Sequence, residues 1–316
     1  MKLVEFEKYF PTEEICRAKF KEMRDKEGVV CSKCGCVHPT WLPSKEQYRC
    51  KKCNHYTTLR ANTVMHGSKL PFRYWFLAMH LLTATKHTFS AIEIQRQLGH
   101  KRYQPIWEMV HKLRSVMGKR DGKYMLHGTV EVDEGFFTTE IVLEEKNNKL
   151  KRGAGSQAKA KVLVMAESTP TLPTKKSQKP KQVGHIKMVV IPNLKAATIE
   201  GEAVNAIASG ASIVSDATSS HKNFANEFSK IDARVVKPED IGKVLPWVHI
   251  VISNSKSLLL DTYHGIKKEF LQSYLNEFCY KFNRRYFGDD LFERLVMVSA
   301  GYRTDFEHRI YDKNAR

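Results

Sequence analysis

Two Cys-x-x-Cys pairs, Cys31/Cys34 and Cys50/Cys53, stand 15 residues apart and constrain this chain more than any other feature. Zn2+ favours four ligands at tetrahedral corners, and each Cys-x-x-Cys turn offers two thiolates from one knuckle. The intervening loop must return the chain so that the second knuckle closes the site. Four protein thiolates leave no open coordination position, so the spacing predicts a structural zinc, and a ribbon of this size needs its metal to fold. A redox pair or unrelated buried cysteines are the competing reading. Cys36 lies close by but breaks the spacing and is read as a bystander. Lys33, Arg49, Lys51 and Lys52 stud the ribbon, either as phosphate contacts or as a solvated face.

Charge narrows the class of partner. The 316 residues carry 52 Lys and Arg against 34 Asp and Glu, a formal net charge of +18. Such an excess predicts a polyanionic partner, because each neutralised phosphate releases condensed counterions. Charge alone does not separate DNA from RNA or an anionic membrane surface. No stretch reaches the roughly 18 apolar residues of a membrane span, and the N-terminus lacks the apolar core of a signal peptide. A cytoplasmic protein is therefore expected, nucleoid-associated if the source is prokaryotic, with no membrane partner.

Apolar periodicity divides the chain. Residues 1–60 read as an N-terminal helix followed by the ribbon, and residues 61–122 as a helix-turn-helix-like DNA-binding segment, helical throughout 70–117. Residues 123–316 read as an α/β domain, with strands near 129–140, 160–166, 185–192 and 211–216 and mostly helix afterwards. Exposed basic loops are expected across 143–183. In "YLNEFCYKFNRR", Leu275, Phe278 and Phe282 are expected to face inward.

Within the helical segment, "FSAIEIQRQLGHKRYQPIWEMVHKLRSVM" has the outline of a helix-turn-helix. Ser90 can cap a first helix carrying Ile92, Ile94 and Leu98. Gly99 ends it, and a short turn leads to a second helix with Trp107, Val110 and Leu113. His100, Lys101, Arg102, Gln104, His111, Lys112 and Arg114 lie on the turn and second helix, where a recognition helix presents side chains to phosphates and base edges. Arg96, Lys101, Arg102, Lys112 and Arg114 are the expected DNA contacts. An ordinary helical hairpin with charged faces is the alternative.

Two acids stand where acids need a reason. "TVEVDEGFF" places Asp133 in mid-strand, and Asp216 ends the apolar run Ile213-Val214. His249 opens an apolar helical stretch 33 positions later, and Lys256 follows two helical turns on, sharing its face. Two-metal phosphoryl transfer needs hard ligands converging from separate elements onto cations about 3.5–4 Å apart. Asp133, Asp216 and His249 can supply such ligands to Mg2+ or Mn2+, with Lys256 holding a DNA phosphate beside them. Singly, each acid is more often an end cap or a salt-bridge partner. Glu134 is expected on the opposite strand face, outside the metal set.

The combination resembles the zinc-ribbon insertion-sequence transposases of the ISXO type. The matching text runs from the cysteine pairs through "HGSKLPFRYWFLAMHLL", "SAIEIQRQLGHKRY", "VEVDEGFF" and "IVSDA" to "KSLLLDTYHGIKKEFLQSYLNEFCYKFNRR". The resemblance implies an RNase H-like catalytic domain with a mixed sheet, preceded by the zinc ribbon and the helix-turn-helix-like segment. It implies that Asp133 and Asp216 are the first two catalytic acids. In that family the third acid is usually a Glu followed after six residues by a basic residue, and alignment on Lys256 puts His249 at that position. Asn254 is the competing third ligand, and a degenerate, inactive element is a further alternative. His249 is the assignment adopted; imidazole binds Mn2+ better than Mg2+. The implied function is metal-dependent cleavage and strand transfer of an insertion sequence, by a homo-oligomer on double-stranded DNA that recognises terminal inverted repeats and target. The alternative is a non-catalytic zinc-ribbon DNA-binding regulator.

Overall fold

The computed structural model describes residues 1–141, 151, 153–172, 181–216, 221, 224, 228, 230–234, 244–304 and 306. They fall into two units: Asp121–Asn283, and Met1–Arg120 together with the described residues after Asn283. Among the described residues no helix is long and apolar enough to cross a membrane.

The first unit opens with α1 (Leu3–Tyr9) and α2 (Glu13–Glu27). The Thr12 hydroxyl accepts from the Ile15 amide and Glu13 and Glu14 occupy the first turn, a favourable set of charges for a helix N-terminus. Three short antiparallel strands follow, β1 (Thr40–Leu42), β2 (Gln47–Arg49) and β3 (Tyr56–Thr58). Then come α3 (Phe72–Ala84), α4 (Ala91–Leu98) and α5 (Tyr103–Gly122). Ser90 and Glu93 close a capping box on α4. Gly99 ends that helix at φ +61°, a conformation costly for any residue with a Cβ.

The second unit is a five-stranded mixed sheet. Its elements are β4 (Thr129–Thr138), β5 (Lys159–Pro170), β6 (Lys181–Ile191), α6 (Ala196–Ala206), β7 (Ser212–Asp216), β8 (Lys230–Arg234), α7 (Pro246–Thr262) and α8 (Leu271–Asn283). The strand order is β6-β5-β4-β7-β8. β4, β5 and β6 pair antiparallel, whereas β7 and β8 run parallel to β4. This arrangement is consistent with an RNase H-like fold. On one face Val162 and Val164 meet Val248, Val251 and Leu259 of α7 and Leu275 and Phe278 of α8. On the other, Val130, Val132, Leu163 and Met165 meet Ile199 and Ala203 of α6. Burial on both faces explains why "VLVMA" reads as an unbroken apolar run rather than an alternation. The basic loops expected within 143–183 fall mainly on 142–150 and 173–180, outside the described residues.

The chain beyond Asn283 departs from the expected boundary. The expectation kept residues up to 316 with the α/β domain, but α9 (Asp290–Gly301) belongs to the first unit and packs on α2 and α3. The reason is aromatic: the Phe292 ring lies 5.9 Å from Phe6, 5.4 Å from Phe10 and 6.0 Å from Phe76.

Candidate active site

The two aspartates reach one place through strand register. β4 and β7 pair in parallel, ending with Val132 opposite Ser215, so Asp133 and Asp216 follow where that ladder ends, close enough for the Asp216 charge to act on Asp133. Successive residues along a strand point to opposite faces. Val130 and Val132 pack toward α6, which leaves Asp133, like Phe137, on the face covered by α7. Phe137 and Val251 share that core, and α7 begins just above the acids.

His249 sits in the first turn of α7, with its Nε2 3.6 Å from Asp133 Oδ2. What holds the helix start there is Glu131, two residues before Asp133 on the same strand face and fully buried. One Glu131 carboxylate oxygen accepts the amides of Trp247 at 2.8 Å and Val248 at 3.1 Å. The carboxylate thereby satisfies two otherwise orphaned donors at the positive end of the helix. Glu131→Ala should destabilise the chain by about 1–3 kcal/mol, since buried amides lose their acceptor. Glu131→Gln, which keeps an acceptor oxygen, should lose less. Urea denaturation reads this directly; an unchanged midpoint for Glu131→Ala would show that the cap holds nothing.

Burial drives the Asp133 carboxyl up to about 6, and the neighbouring Asp216 and Glu134 add to the rise against the opposing pull of the Glu134 amide and His249. Two interacting carboxylates in a partly buried place are a donor set that a divalent cation would neutralise, so these residues fit such an ion. Lys256 lies two turns along α7 from His249. Burial lowers its pKa, Lys159 adds to that, and Asp133 acts against it. Asn254, the competing third ligand, is exposed on α7.

His221 was not anticipated. Its Nδ1 lies 3.1 Å from Asp216 Oδ1 and its Nε2 3.0 Å from Glu134 Oε1. Both partners are carboxylates, so both ring nitrogens donate. Burial opposes the charged ring, yet the two acids outweigh it and push the imidazole up to about 10. Glu134 does face away from α7, as its parity requires, and it buttresses Asp216 through His221. Nothing in the polar sequence "SSHKNF" marks that histidine, because its partners lie in distant strands.

The four ribbon cysteines converge. Their sulfurs all lie within 4.8 Å of one another, with Cys31 to Cys53 at 3.6 Å and Cys34 to Cys50 at 3.5 Å. A tetrahedral Zn–S length of about 2.3 Å corresponds to an S···S edge of about 3.8 Å. The knuckles are built alike: Gly35 N donates to Cys31 O at 2.9 Å and Asn54 N to Cys50 O at 3.0 Å. Gly35 and Asn54 both adopt positive φ. The cluster fits a structural zinc. Lys33, Arg49, Lys51 and Lys52 are exposed around it.

The helix-turn-helix expectation needs correction at two basic residues. Arg114 is 1% exposed and His111 fully buried, so neither can meet a phosphate. The reason is that α5 buries Ile106, Met109, Val110, Leu113, Val116 and Met117, covering most of its circumference, with Trp107 and Phe306 against His111. Lys112 is half-buried and donates to the His66 carbonyl at 3.0 Å. Arg96, Lys101 and Arg102 are exposed at the end of α4 and in the turn. Ile92, expected inside, is 43% exposed, and Ala91 takes its place in the core.

A mixed sheet consistent with an RNase H-like fold, in a chain that also carries a four-cysteine ribbon, is the architecture expected of a zinc-ribbon transposase. Residues 125–283, half of the chain, match the ISXO2-like transposase domain, and residues 11–56 match the transposase zinc-ribbon domain. The chain belongs to the ISXO2-like transposase family. No curated protein and no solved structure matches it.

Proposed function

We propose that this chain is an active DNA transposase that cuts and rejoins phosphodiesters at Asp133, Asp216 and His249, a DDH variant of the acidic triad. The observation that carries the reading is the convergence of these side chains from two adjacent strands and a helix, with His249 3.6 Å from Asp133 and the two aspartates each following the last paired residues of β4 and β7. Mg2+ or Mn2+ held there would supply Lewis-acid activation of the phosphoryl group and of the attacking oxygen. The imidazolium of His221 fixes one oxygen of Asp216 and leaves the other for that role. Lys256 holds the phosphate beside the carboxylates. Water attacks first to nick the strand end, and the freed 3′-hydroxyl then attacks target DNA in line.

Arg96, Lys101 and Arg102, with the partly exposed Lys112, contact the duplex, and the ribbon lysines add backbone contacts. The partners are double-stranded terminal repeats and target DNA in the cytoplasm, bound by a homo-oligomer because two ends must be joined. The test is a strand-transfer assay with the full chain and pre-cut ends. Mn2+ should support faster turnover than Mg2+, because His249 offers a neutral nitrogen where a carboxylate would be the harder donor. His249→Glu should shift that preference toward Mg2+. Equal or better turnover in Mg2+ by the unaltered chain would overturn the His249 assignment. DNA binding without metal-dependent cleavage in any variant would make the chain a regulator instead.

A further inference from the structure

Past the acids, β4 and α7 open into a cleft of about 300 Å3. It is lined by Phe137 near the end of β4, Thr139 and Glu140 just past that end, Lys256 and Leu260 from the helix, and Tyr263 just beyond it. Strand rise of about 3.3 Å per residue puts Phe136 and Phe137 about 10–13 Å from Asp133, within reach of a nucleotide neighbouring the reacting phosphate.

The lining is chemically mixed in an informative way. Tyr263 and Leu260 present flat and apolar surface, and Lys256 Nζ stands 5.6 Å from the centroid of the Phe137 ring. Lys159 joins Lys256 at the same cleft, and among the described residues neither has a carboxylate within salt-bridge distance. Two unpaired ammonium groups beside apolar walls favour an anion between them. Thr139 is 5% exposed, and its hydroxyl has no hydrogen-bond partner among the described residues. Buried polar groups normally have one, so this hydroxyl is available to a ligand atom in the cleft. The Glu140 carboxylate, packed against the Cα of Gly265, adds an acceptor. A flat apolar body, an anionic group and a hydrogen-bonding edge together describe a nucleotide. A duplex is too wide for a cavity at the small end of ligand pockets.

We propose that the cleft of Thr139, Lys159, Lys256, Leu260 and Tyr263 binds one unpaired nucleotide of the DNA strand whose phosphate lies at Asp133 and Asp216. The inference rests on the reading of those aspartates as the site of phosphodiester chemistry. Stacking on aromatic side chains contributes about 1–3 kcal/mol per base and tolerates any sequence, so the subsite would hold a frayed end without reading it.

The test uses the full chain, without added Mg2+ or Mn2+, and a DNA duplex with a single-stranded thymidine tail carrying one 5-iodo-deoxyuridine. Photo-crosslinks mapped by mass spectrometry should fall on Tyr263. Leu260 is exposed, so Leu260→Glu should fold normally while repelling the phosphate; cleft crosslinks should drop about tenfold at unchanged duplex binding. Crosslinks confined to the ribbon or to α4 and the turn after it, or undiminished by Leu260→Glu, would overturn the proposal. Labelling of the cleft by free 5-iodo-deoxyuridine monophosphate but not by the tailed duplex would overturn the assignment to the DNA strand. The assay is independent of catalysis: strand transfer without cleft crosslinks sinks the subsite alone, and cleft crosslinks without strand transfer sink the catalytic reading alone.

Discussion

Replacing Asp133 or Asp216 by asparagine is expected to lower metal-dependent strand cleavage by about 10³-fold or more, with duplex binding unchanged. Losing a single preorganised charge-stabilising group in an active site already costs about 10²–10³ in rate, and each aspartate here would hold a metal as well. The substitution keeps shape and volume, so the loss has to come from charge. Stability should move the other way for Asp133→Asn. The folded chain keeps the Asp133 proton to about pH 6, whereas an ordinary aspartate releases it near 3.8. Stability from this group is therefore full below 3.8 and is lost as the pH rises through about 6. Asparagine never ionises, so above about pH 6 the metal-free variant should melt at a higher temperature than the unaltered chain. A variant that loses both activity and stability would point to a structural role for Asp133 instead.

Removing zinc should have the second large effect. Structural zinc in small ribbons contributes apparent binding free energies of about 10–16 kcal/mol at neutral pH. The three strands of the ribbon have three residues each, too few to build an apolar core that could replace it. The purified chain should carry one zinc per molecule. A strong chelator, or Cys50→Ser, should open the segment between Val29 and Thr58 to proteolysis and weaken duplex binding. The five-stranded sheet has its own two-sided core and should stay protected. A ribbon that remains protected without metal would contradict the zinc assignment.

How much of this was legible in the sequence varied with the range of the interactions. The cysteine spacing is local, so ligand identity could be read directly. Asp133 and Asp216 could be read because an acid inside an apolar strand stands out against its neighbours. Glu131 sits in the same motif and was overlooked: its partners are the amides of Trp247 and Val248, more than a hundred residues away, and no periodicity marks them. His221 was missed for the same reason. Arg114 was misread because a basic residue on an amphipathic helix is normally solvated, and only tertiary packing shows that α5 is covered on most sides. The boundary at Asn283 was equally hidden, since α9 is amphipathic wherever it docks.

Anomalous diffraction at the manganese edge, from crystals grown with Mn2+, addresses the central claim most directly. The expected result is a peak at the carboxylates of Asp133 and Asp216 with a His249 ring nitrogen at ligand distance. A peak at Asn254, a peak elsewhere, or His249 turned away from a metal held by the two acids would contradict it.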